Sequence, residues 1–246
     1  MLLKEQLERD GKWLFRWRSF LPVACLPLIA IALVGMKWPF GDYELHNIWD
    51  MFCLGVSLLG VGVRVLAVGH APAGTSGRNT KHHSAAVLNT TGMYAIVRHP
   101  LYLGNYLIAL GVVLSPLQWW LPVIFTLLFW LYYERIMLAE EIFLHESFGA
   151  EFVAWASRTP AFVPRLSLWR APAESFSLRS VLRREYTGLF LVILLHYGVE
   201  EFEHLSIDHR FVVEPYWTAL LASGVIGYLA LRCLKRRTTL LDVAGR

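Results

Sequence analysis

Charged residues are scarce in this sequence of 246 residues. Asp, Glu, Lys and Arg make up 17% of the chain, whereas 56% of it is hydrophobic. Because soluble domains carry roughly 25% charged residues, this balance excludes an ordinary water-soluble domain. The apolar residues gather in runs of about 15–20, for which lipid is the expected solvent. We therefore predict an all-α fold, a polytopic helical bundle in a membrane.

Cysteine is also rare, and the chain has three, Cys25, Cys53 and Cys233. Each lies inside an apolar run, and none has a second cysteine at a metal-ligand spacing such as C-x-x-C. This pattern excludes a disulfide framework and a cysteine metal site. We predict that all three are small core residues.

Two further signals are missing from the sequence. A Gly-rich nucleotide turn after a β-strand is absent, and the similar string at residues 59–62 lies in an apolar run, where small residues serve helix packing. A cleavable signal peptide is not expected either, because the first apolar run follows the long charged stretch 1–18. We expect the first helix to be retained.

Six apolar segments are predicted to cross the membrane, namely residues 20–36, 48–69, 101–114, 117–133, 187–199 and 216–234. The third and fifth are shorter than the roughly 17–25 residues of a full crossing. Either their ends extend into less apolar flanks, or one of them is tilted or re-entrant.

The distribution of Lys and Arg predicts the orientation of these segments. If they alternate from a cytoplasmic N-terminus, only Lys37 and Arg210 lie on the opposite side, and Arg64 lies within the second segment. We predict a bacterial inner (cytoplasmic) membrane protein with both termini in the cytoplasm. The predicted units are a charged segment with two helices at 1–69, a core at 70–165, and a linker with two helices at 166–246.

The densest polar cluster precedes the third segment, at residues 90–105. Pro100 marks a helix start, and the free amides after it can face an anionic group at the positive end of the helix dipole. Arg98 adds a fork of donors suited to a carboxylate. Tyr94 and Tyr102 add aromatic faces for a purine ring or a cation.

Two adjacent acids, Glu140 and Glu141, follow the fourth segment. Since only Ser115 and Pro116 join the third and fourth segments, these must be antiparallel neighbours, and Arg98 can converge with the acids. The alternatives are an arginine that reaches for lipid headgroups and an amphipathic helix whose acids face water.

This combination resembles the isoprenylcysteine carboxyl methyltransferases and the related phospholipid methyltransferases. Their shared signature is G-x-Y-x-x-x-R-H-P-x-Y-x-G, followed after one helical hairpin by E-E-x-x-L, F-G and a T-P or V-P segment. The matching residues are Gly92, Tyr94, Arg98, His99, Pro100, Tyr102 and Gly104, then Glu140, Glu141, Leu144, Phe148 and Gly149, then Thr159, Pro160 and Pro164.

The resemblance implies an S-adenosylmethionine-dependent methyltransferase with a cofactor pocket at the cytoplasmic side. It implies that the cofactor contacts Gly92, Tyr94, Arg98, His99, Pro100, Tyr102, Gly104, Glu140 and Glu141, with Arg98, Glu140 and Glu141 as the catalytic residues. The implied acceptor is a lipid or lipid-like molecule: a phospholipid headgroup amine or phosphate, or an isoprenoid or lipid carboxylate. Beyond the lipid substrate and the bilayer, we expect neither nucleic acid nor an obligate protein partner.

The sequence departs from the family pattern at two positions. Where relatives often carry a histidine six residues before the signature glycine, this chain has Ala86, and His82 or His83 are the possible substitutes. Where the eukaryotic isoprenylcysteine enzymes carry an arginine for the substrate carboxylate, this chain has Ile136. The identity of the acceptor is therefore left open.

A second polar cluster near residues 196–209 suggests a different class of protein. Glu201 and His204 have the spacing of a carboxylate-bridged metal site, and His196, Glu200 and His204 share one helical face. A di-iron site normally needs two Glu-x-x-His pairs, so we predict no metal and a solvated acidic loop. The alternatives are a membrane oxidoreductase, metal-dependent or sterol-reductase-like, and a transporter or scaffold, for which Arg64 is the one hint.

Overall fold

The computed structural model describes residues 2–17, 26–72 and 87–243. These residues form nine helices: α1 Leu3–Trp17, α2 Leu26–Leu33, α3 Tyr43–Gly69, α4 Met93–Ile96, α5 Pro100–Leu114, α6 Trp120–Phe148, α7 Ala150–Ala156, α8 Leu178–Ile207 and α9 Pro215–Arg237. Short 3-10 turns lie at Pro39–Gly41 and Leu166–Leu168. No strand occurs in these ranges, and the predicted all-α fold is confirmed. Cys25, His82, His83 and Ala86 lie outside the described residues.

Three of the helices, α3, α6 and α9, are long and apolar enough to cross a membrane. They correspond to the second, fourth and sixth predicted segments. The third segment forms α5, an apolar helix of 15 residues, and the fifth lies within α8, which has 30 residues. The described part of the first segment forms α2, with 8 residues. The predicted count of six spans is not confirmed.

Helices α5 and α6 form the predicted antiparallel hairpin. The Asn105 Nδ2 group donates a hydrogen bond to the Tyr133 hydroxyl at 3.2 Å, and the Tyr106 and Thr126 hydroxyls lie 3.0 Å apart. Helix α6 ends as predicted at Gly149, which has φ 52°. With 29 residues, α6 is roughly 43 Å long, so its C-terminal turns extend beyond a hydrocarbon core of about 30 Å.

Helices α3 and α5 approach each other closely through glycines. A Cβ atom on Gly60 would lie 2.6 Å from the Gly104 carbonyl oxygen and 2.7 Å from the Ile108 amide nitrogen. The predicted packing role of this glycine is confirmed. Gly62 faces open space within the described structure, where no atom lies within 4 Å of a Cβ placed there. Small residues thus fix α5 against α3 at one particular turn.

The two described cysteines have different environments. Cys53 is buried, as predicted, whereas Cys233 is exposed. The prediction of a core position is wrong for Cys233 because α9 buries little of its surface: 6% of its most apolar stretch lies inside the protein. Such a helix presents most of its residues to the surrounding lipid.

Arg64 in α3 forms an ion pair with one helix and a hydrogen bond with another. Its Nε and Nη2 groups donate to the Glu185 carboxylate of α8 at 2.7 and 2.8 Å, and Nη1 donates to Asn105 Oδ1 of α5 at 2.6 Å. An intramembrane arginine is costly unless it is paired. Here the pairing makes Arg64 a junction between α3, α5 and α8, which weakens the transporter alternative.

Replacing Glu185 by Gln is expected to lower the melting temperature in detergent by about 6 °C, because Arg64 then loses its charged partner in a mostly buried position. The double variant Arg64→Met/Glu185→Leu should recover part of this loss, since apolar pairs often replace buried ion pairs at little cost. Thermal unfolding of the three proteins measures both effects. An unchanged melting temperature for Glu185→Gln contradicts the junction.

Candidate active site

The residues before α5 are held by backbone hydrogen bonds to the segment that follows α7. The Arg98 N–H donates to the Pro160 carbonyl at 2.9 Å, and the His99 N–H donates to the Ala161 carbonyl at 3.2 Å. Pro100 is the first residue of α5 and His99 is its N-cap. The Thr-Pro segment of the signature therefore fixes the position from which Arg98 and His99 project.

The predicted convergence of the α5 start with the paired acids is present. The Arg98 Nη1 group donates to Glu141 Oε2 at 3.1 Å, and His99 Nε2 lies 2.9 Å from Glu141 Oε1. The Tyr102 hydroxyl donates to Glu140 Oε2 at 2.8 Å, and His99 Nδ1 lies 3.6 Å from the same oxygen. Glu141 thus joins Arg98 to His99, while Glu140 joins His99 to Tyr102.

These contacts decide between the alternative environments of the charged residues. The Arg98 and Glu141 side chains are 19% and 23% exposed, so neither is a freely solvated or headgroup-seeking group. Arg98 Nε is buried and has no hydrogen-bond partner among the residues that the structure describes. A buried donor of this kind is costly to leave unpaired. The site therefore contains one ion pair that is already formed, between Arg98 and Glu141, and one N–H group of Arg98 that can donate a hydrogen bond to a ligand.

The environment of His99 favours its protonated form. Burial of the ring lowers its pKa, but hydrogen bonds to Glu140 and Glu141 and their negative charges raise it, and the resulting pKa lies above the ordinary value. An imidazolium fits this position because both ring nitrogens then donate, one toward each carboxylate.

We predict a pH dependence of stability from this raised pKa. Since the folded-state pKa exceeds the unfolded one, the stabilisation is fully present below about pH 6.5, the ordinary histidine value, and is lost as pH rises through the folded-state value. The melting temperature should fall on alkalinisation, and His99→Gln should remove this dependence. The exposed His145 gives the control, His145→Gln, which should behave like the wild type. Identical profiles for all three contradict the assignment.

Three other predicted site residues, Gly92, Tyr94 and Gly104, make contacts outside this cluster. Gly92 has φ 59°, a conformation that favours glycine, and starts α4. The Tyr94 carbonyl accepts a hydrogen bond from Trp155 Nε1 at 3.0 Å. Gly104 lies at the contact with α3, where an added Cβ would meet the Gly60 carbonyl oxygen at 2.9 Å. These three residues shape the backbone around the cluster.

Sequence reasoning missed the polar residues behind the cluster. Asn105 accepts from Arg64 and donates to Tyr133, and the Tyr133 ring lies 5.0 Å from the ring of Tyr102. A connected chain of side chains therefore links the Arg64–Glu185 pair to the site. The signal in the sequence was Asn105, an amide inside an apolar helix, which needs a hydrogen-bonding partner there.

The helical hairpin and its charged cluster define a membrane protein whose site lies where two antiparallel helices bring opposite charges together. The chain belongs to the phospholipid methyltransferase family, which matches residues 51–151. The predicted family is confirmed, and all nine predicted site residues lie in the matched range.

Two bacterial relatives carry names that refer to metal resistance. The nickel-cobalt-cadmium resistance protein of Alcaligenes xylosoxydans is 37% identical over 135 residues, which cover 51% of this chain and 59% of that protein. The cobalt-zinc-cadmium resistance protein of Cupriavidus metallidurans is 36% identical over 165 residues, which cover 64% of this chain and 73% of that protein.

A eukaryotic relative carries the name of a methyltransferase. The protein-S-isoprenylcysteine O-methyltransferase of Schizosaccharomyces pombe is 28% identical over 125 residues, covering 49% of this chain and 51% of that protein. This chain thus spans about half the length of that enzyme. No solved structure matches the chain significantly.

Proposed function

We propose that this protein transfers a methyl group from S-adenosylmethionine to a lipid or lipid-like acceptor at the cytoplasmic face of the membrane. The observation that carries the proposal is the bridge that Glu141 makes between Arg98 and His99 at the start of α5. Around it, a cation, an acid pair and aromatic rings adjoin one another within the range matched by the family.

The side chains present fit the amino acid part of S-adenosylmethionine. The unpartnered Nε of Arg98 can donate to its carboxylate, and Glu140 and Glu141 can accept from its ammonium group. Tyr102 and Tyr133 present aromatic rings next to these charges, suited to a sulfonium cation. When bound, the cofactor supplies an electrophilic methyl group on that sulfonium.

Within this proposal, the protein contributes positioning. Arg98 and the acid pair hold opposite ends of the same zwitterionic group, which fixes the direction in which the sulfonium points. Because methyl transfer is an in-line displacement, alignment of the two reactants supplies much of the rate. The amides of the first turn of α5 add a positive potential for the anionic end.

Whether the reaction needs a general base depends on the chemical class of the acceptor. A carboxylate or phosphate oxygen attacks without a base, whereas a protonated amine requires one, for which Glu141 and the exposed His145 are the candidates. Ile136 is fully buried in the apolar core and offers nothing to a substrate carboxylate. This environment favours an acceptor other than prenylcysteine.

The names of the metal-resistance relatives favour an anionic acceptor. Metal resistance is a property of whole cells, whose anionic lipids attract cations to the membrane surface. Methylation of a lipid phosphate or carboxylate removes one such negative charge. Methylation of an amine leaves the phosphate charge in place. We therefore propose O-methylation of an anionic lipid as the first possibility to test.

The proposed orientation of the protein in the membrane rests on basic residues at the end of the helical bundle where Arg98 and Glu141 lie. Lys235, Arg236 and Arg237 lie in the last turn of α9, and Lys235 Nζ donates to the Arg183 carbonyl near the start of α8 at 2.9 Å. An excess of basic residues favours the cytoplasmic side. We propose that both termini lie there, in a bacterial inner membrane, with residues 70–165 as the methyltransferase core.

A labelling experiment tests the proposed function. The purified protein is incubated with methyl-labelled S-adenosylmethionine and a total lipid extract of its host, and the labelled products are identified by mass spectrometry. We expect a labelled lipid with the wild type and with Glu146→Gln, a change at an exposed acid of α6. Cofactor binding without any labelled lipid rules out the lipid acceptor, and nicotinamide-dependent turnover instead favours an oxidoreductase.

A further inference from the structure

A second group of titratable side chains lies where the start of α3 meets the end of α8. His46 and Asp50 belong to α3, and Glu203 belongs to α8. His46 Nε2 lies 2.9 Å from Glu203 Oε2 and 3.1 Å from Asp50 Oδ2. Along α3, His46 precedes Arg64 by roughly 27 Å. This cluster is therefore at the opposite end of the bundle from the candidate active site and lies outside the family-matched residues 51–151.

The three side chains are buried without enough hydrogen bonds to satisfy them. The exposed fractions of His46, Asp50 and Glu203 are 0%, 2% and 0%. His46 Nε2 hydrogen-bonds to Glu203 and is in ion-pair contact with Asp50. Among the described residues, both Asp50 oxygens and Glu203 Oε1 have no hydrogen-bond partner. Within residues 2–17, 26–72 and 87–243, no Lys or Arg forms an ion pair with these acids. Two buried carboxylates that share a single imidazole as their cationic partner are costly, and a bound metal ion would compensate both of them.

We propose that His46, Asp50 and Glu203 bind a divalent first-row transition-metal ion. One ligand atom from each residue can be chosen so that all three lie within 4.8 Å of one another. Ligand atoms about 2.0–2.2 Å from one ion lie at most about 4.4 Å apart, and His46 Nε2 is 2.9 Å from Glu203 Oε2 and 3.1 Å from Asp50 Oδ2. An imidazole with two carboxylates suits zinc, iron, cobalt or nickel better than calcium or magnesium, which prefer oxygen ligands alone.

Further donors adjoin the three ligands. Glu200 Oε2 and His204 Nε2 are also buried and have no hydrogen-bond partner in the described part of the chain, where His204 Nε2 lies 3.4 Å from Glu200 Oε1. The His204 ring is oriented by Asp208, whose Oδ2 lies 2.8 Å from Nδ1. Such a carboxylate-held imidazole is the usual arrangement around protein metal ions. Both residues can orient a water bound to the ion.

This site differs from the one that the sequence suggested and discounted. The predicted pair Glu201 and His204 does not form it, and His196 instead lies 3.0 Å from the Ser57 hydroxyl. The predicted solvated acidic loop is wrong for Glu200, Glu203 and His204, which are buried in the contact between α3 and α8. An ion at this position joins these two helices at one end, as the Arg64–Glu185 pair joins them at the other.

Metal binding is tested on the full chain in detergent, freed of any polyhistidine tag and stripped with a chelator. Zn²⁺ and Co²⁺ are titrated separately, with elemental analysis for stoichiometry and visible absorption for Co²⁺ coordination. We expect about one ion per chain and an increase in melting temperature of about 5 °C at saturating Zn²⁺. Asp50→Asn and Glu203→Gln should each weaken metal binding by about 100-fold or more. This loss exceeds the usual effect of substituting a residue that only hydrogen-bonds to a ligand.

Two controls separate binding from folding. Glu201→Gln changes an acid of α8 that is not fully buried, and it should bind the ion like the wild type. Without metal, Asp50→Asn should be at least as stable as the wild type, because it removes one of two buried carboxylates that share the single imidazole of His46. Zn²⁺ should then stabilise the wild type and not the variant. If the folded wild type binds no Zn²⁺ or Co²⁺, or if both carboxylate variants bind them equally well, the proposal is overturned.

Discussion

Replacing Arg98 by Ala is expected to weaken the binding of S-adenosylmethionine by about 100-fold and to reduce methyl transfer at least as much. Arg98 offers a buried Nε, which has no partner within residues 2–17, 26–72 and 87–243, next to the Nη1 that binds Glu141. Its removal takes away the donor proposed for the cofactor carboxylate and leaves Glu141 with His99 alone. Loss of one member of such a charge pair costs about 2–5 kcal/mol, which corresponds to roughly 30-fold or more in affinity.

Isothermal titration with S-adenosylmethionine and initial rates with labelled cofactor measure the two effects separately. Arg158→Ala is the matched control, because Arg158 is exposed and its Nε donates to the Ala154 carbonyl one turn earlier. Arg98→Lys should retain part of the affinity, since a lysine keeps the charge but not the planar fork of donors. Wild-type affinity in folded Arg98→Ala protein would remove the basis of the proposed site.

The charged cluster could be predicted because its determinants are local in sequence. Pro100 fixes a helix start, Ser115 and Pro116 force an antiparallel hairpin, and Arg98 must then lie near Glu141. What the sequence could not predict was the pairing within the cluster. Arg98 and Glu141 were both expected to contact the cofactor directly, and the structure has them bound to each other, because unlike charges at a membrane surface lower each other's cost.

The buried cluster of α3 and α8 was beyond sequence reasoning for the opposite reason. His46 and Glu203 lie 157 positions apart, and nothing in the α3 sequence marks His46 as different from an interfacial residue. Only the packing of α3 against α8 brings them together. The predicted count of six spans is not confirmed for a similar reason. Helix α8 buries polar residues such as Glu185 and His196 against its neighbours. These residues lower its mean hydropathy, so hydropathy alone does not indicate how deeply α8 is packed.

The second large effect is expected from Gly60→Ala, which should lower the melting temperature by about 8 °C. The added methyl group would meet backbone atoms of Gly104 and Ile108 at 2.6 and 2.7 Å, and backbone atoms of a helix cannot rotate away. Helices α3 and α5 must then separate, which costs about 3 kcal/mol. Gly62→Ala is the matched control: it faces open space and gains up to about 1 kcal/mol of helix propensity. Equal melting temperatures for the two variants contradict the close contact.

Gly60→Ala also tests how the site depends on α3. The substitution moves α5 away from α3 but leaves the α5–α6 hairpin intact, so the contact of Arg98 with Glu141 can persist while the bond from Arg64 to Asn105 is broken. A displacement of about 1 Å can reduce catalysis by roughly 100-fold. At a temperature where the variant is folded, a large loss of methyl transfer therefore indicates that the Arg64–Asn105–Tyr133 chain positions Tyr102. Full activity in the folded variant means that the hairpin alone holds the reactive groups.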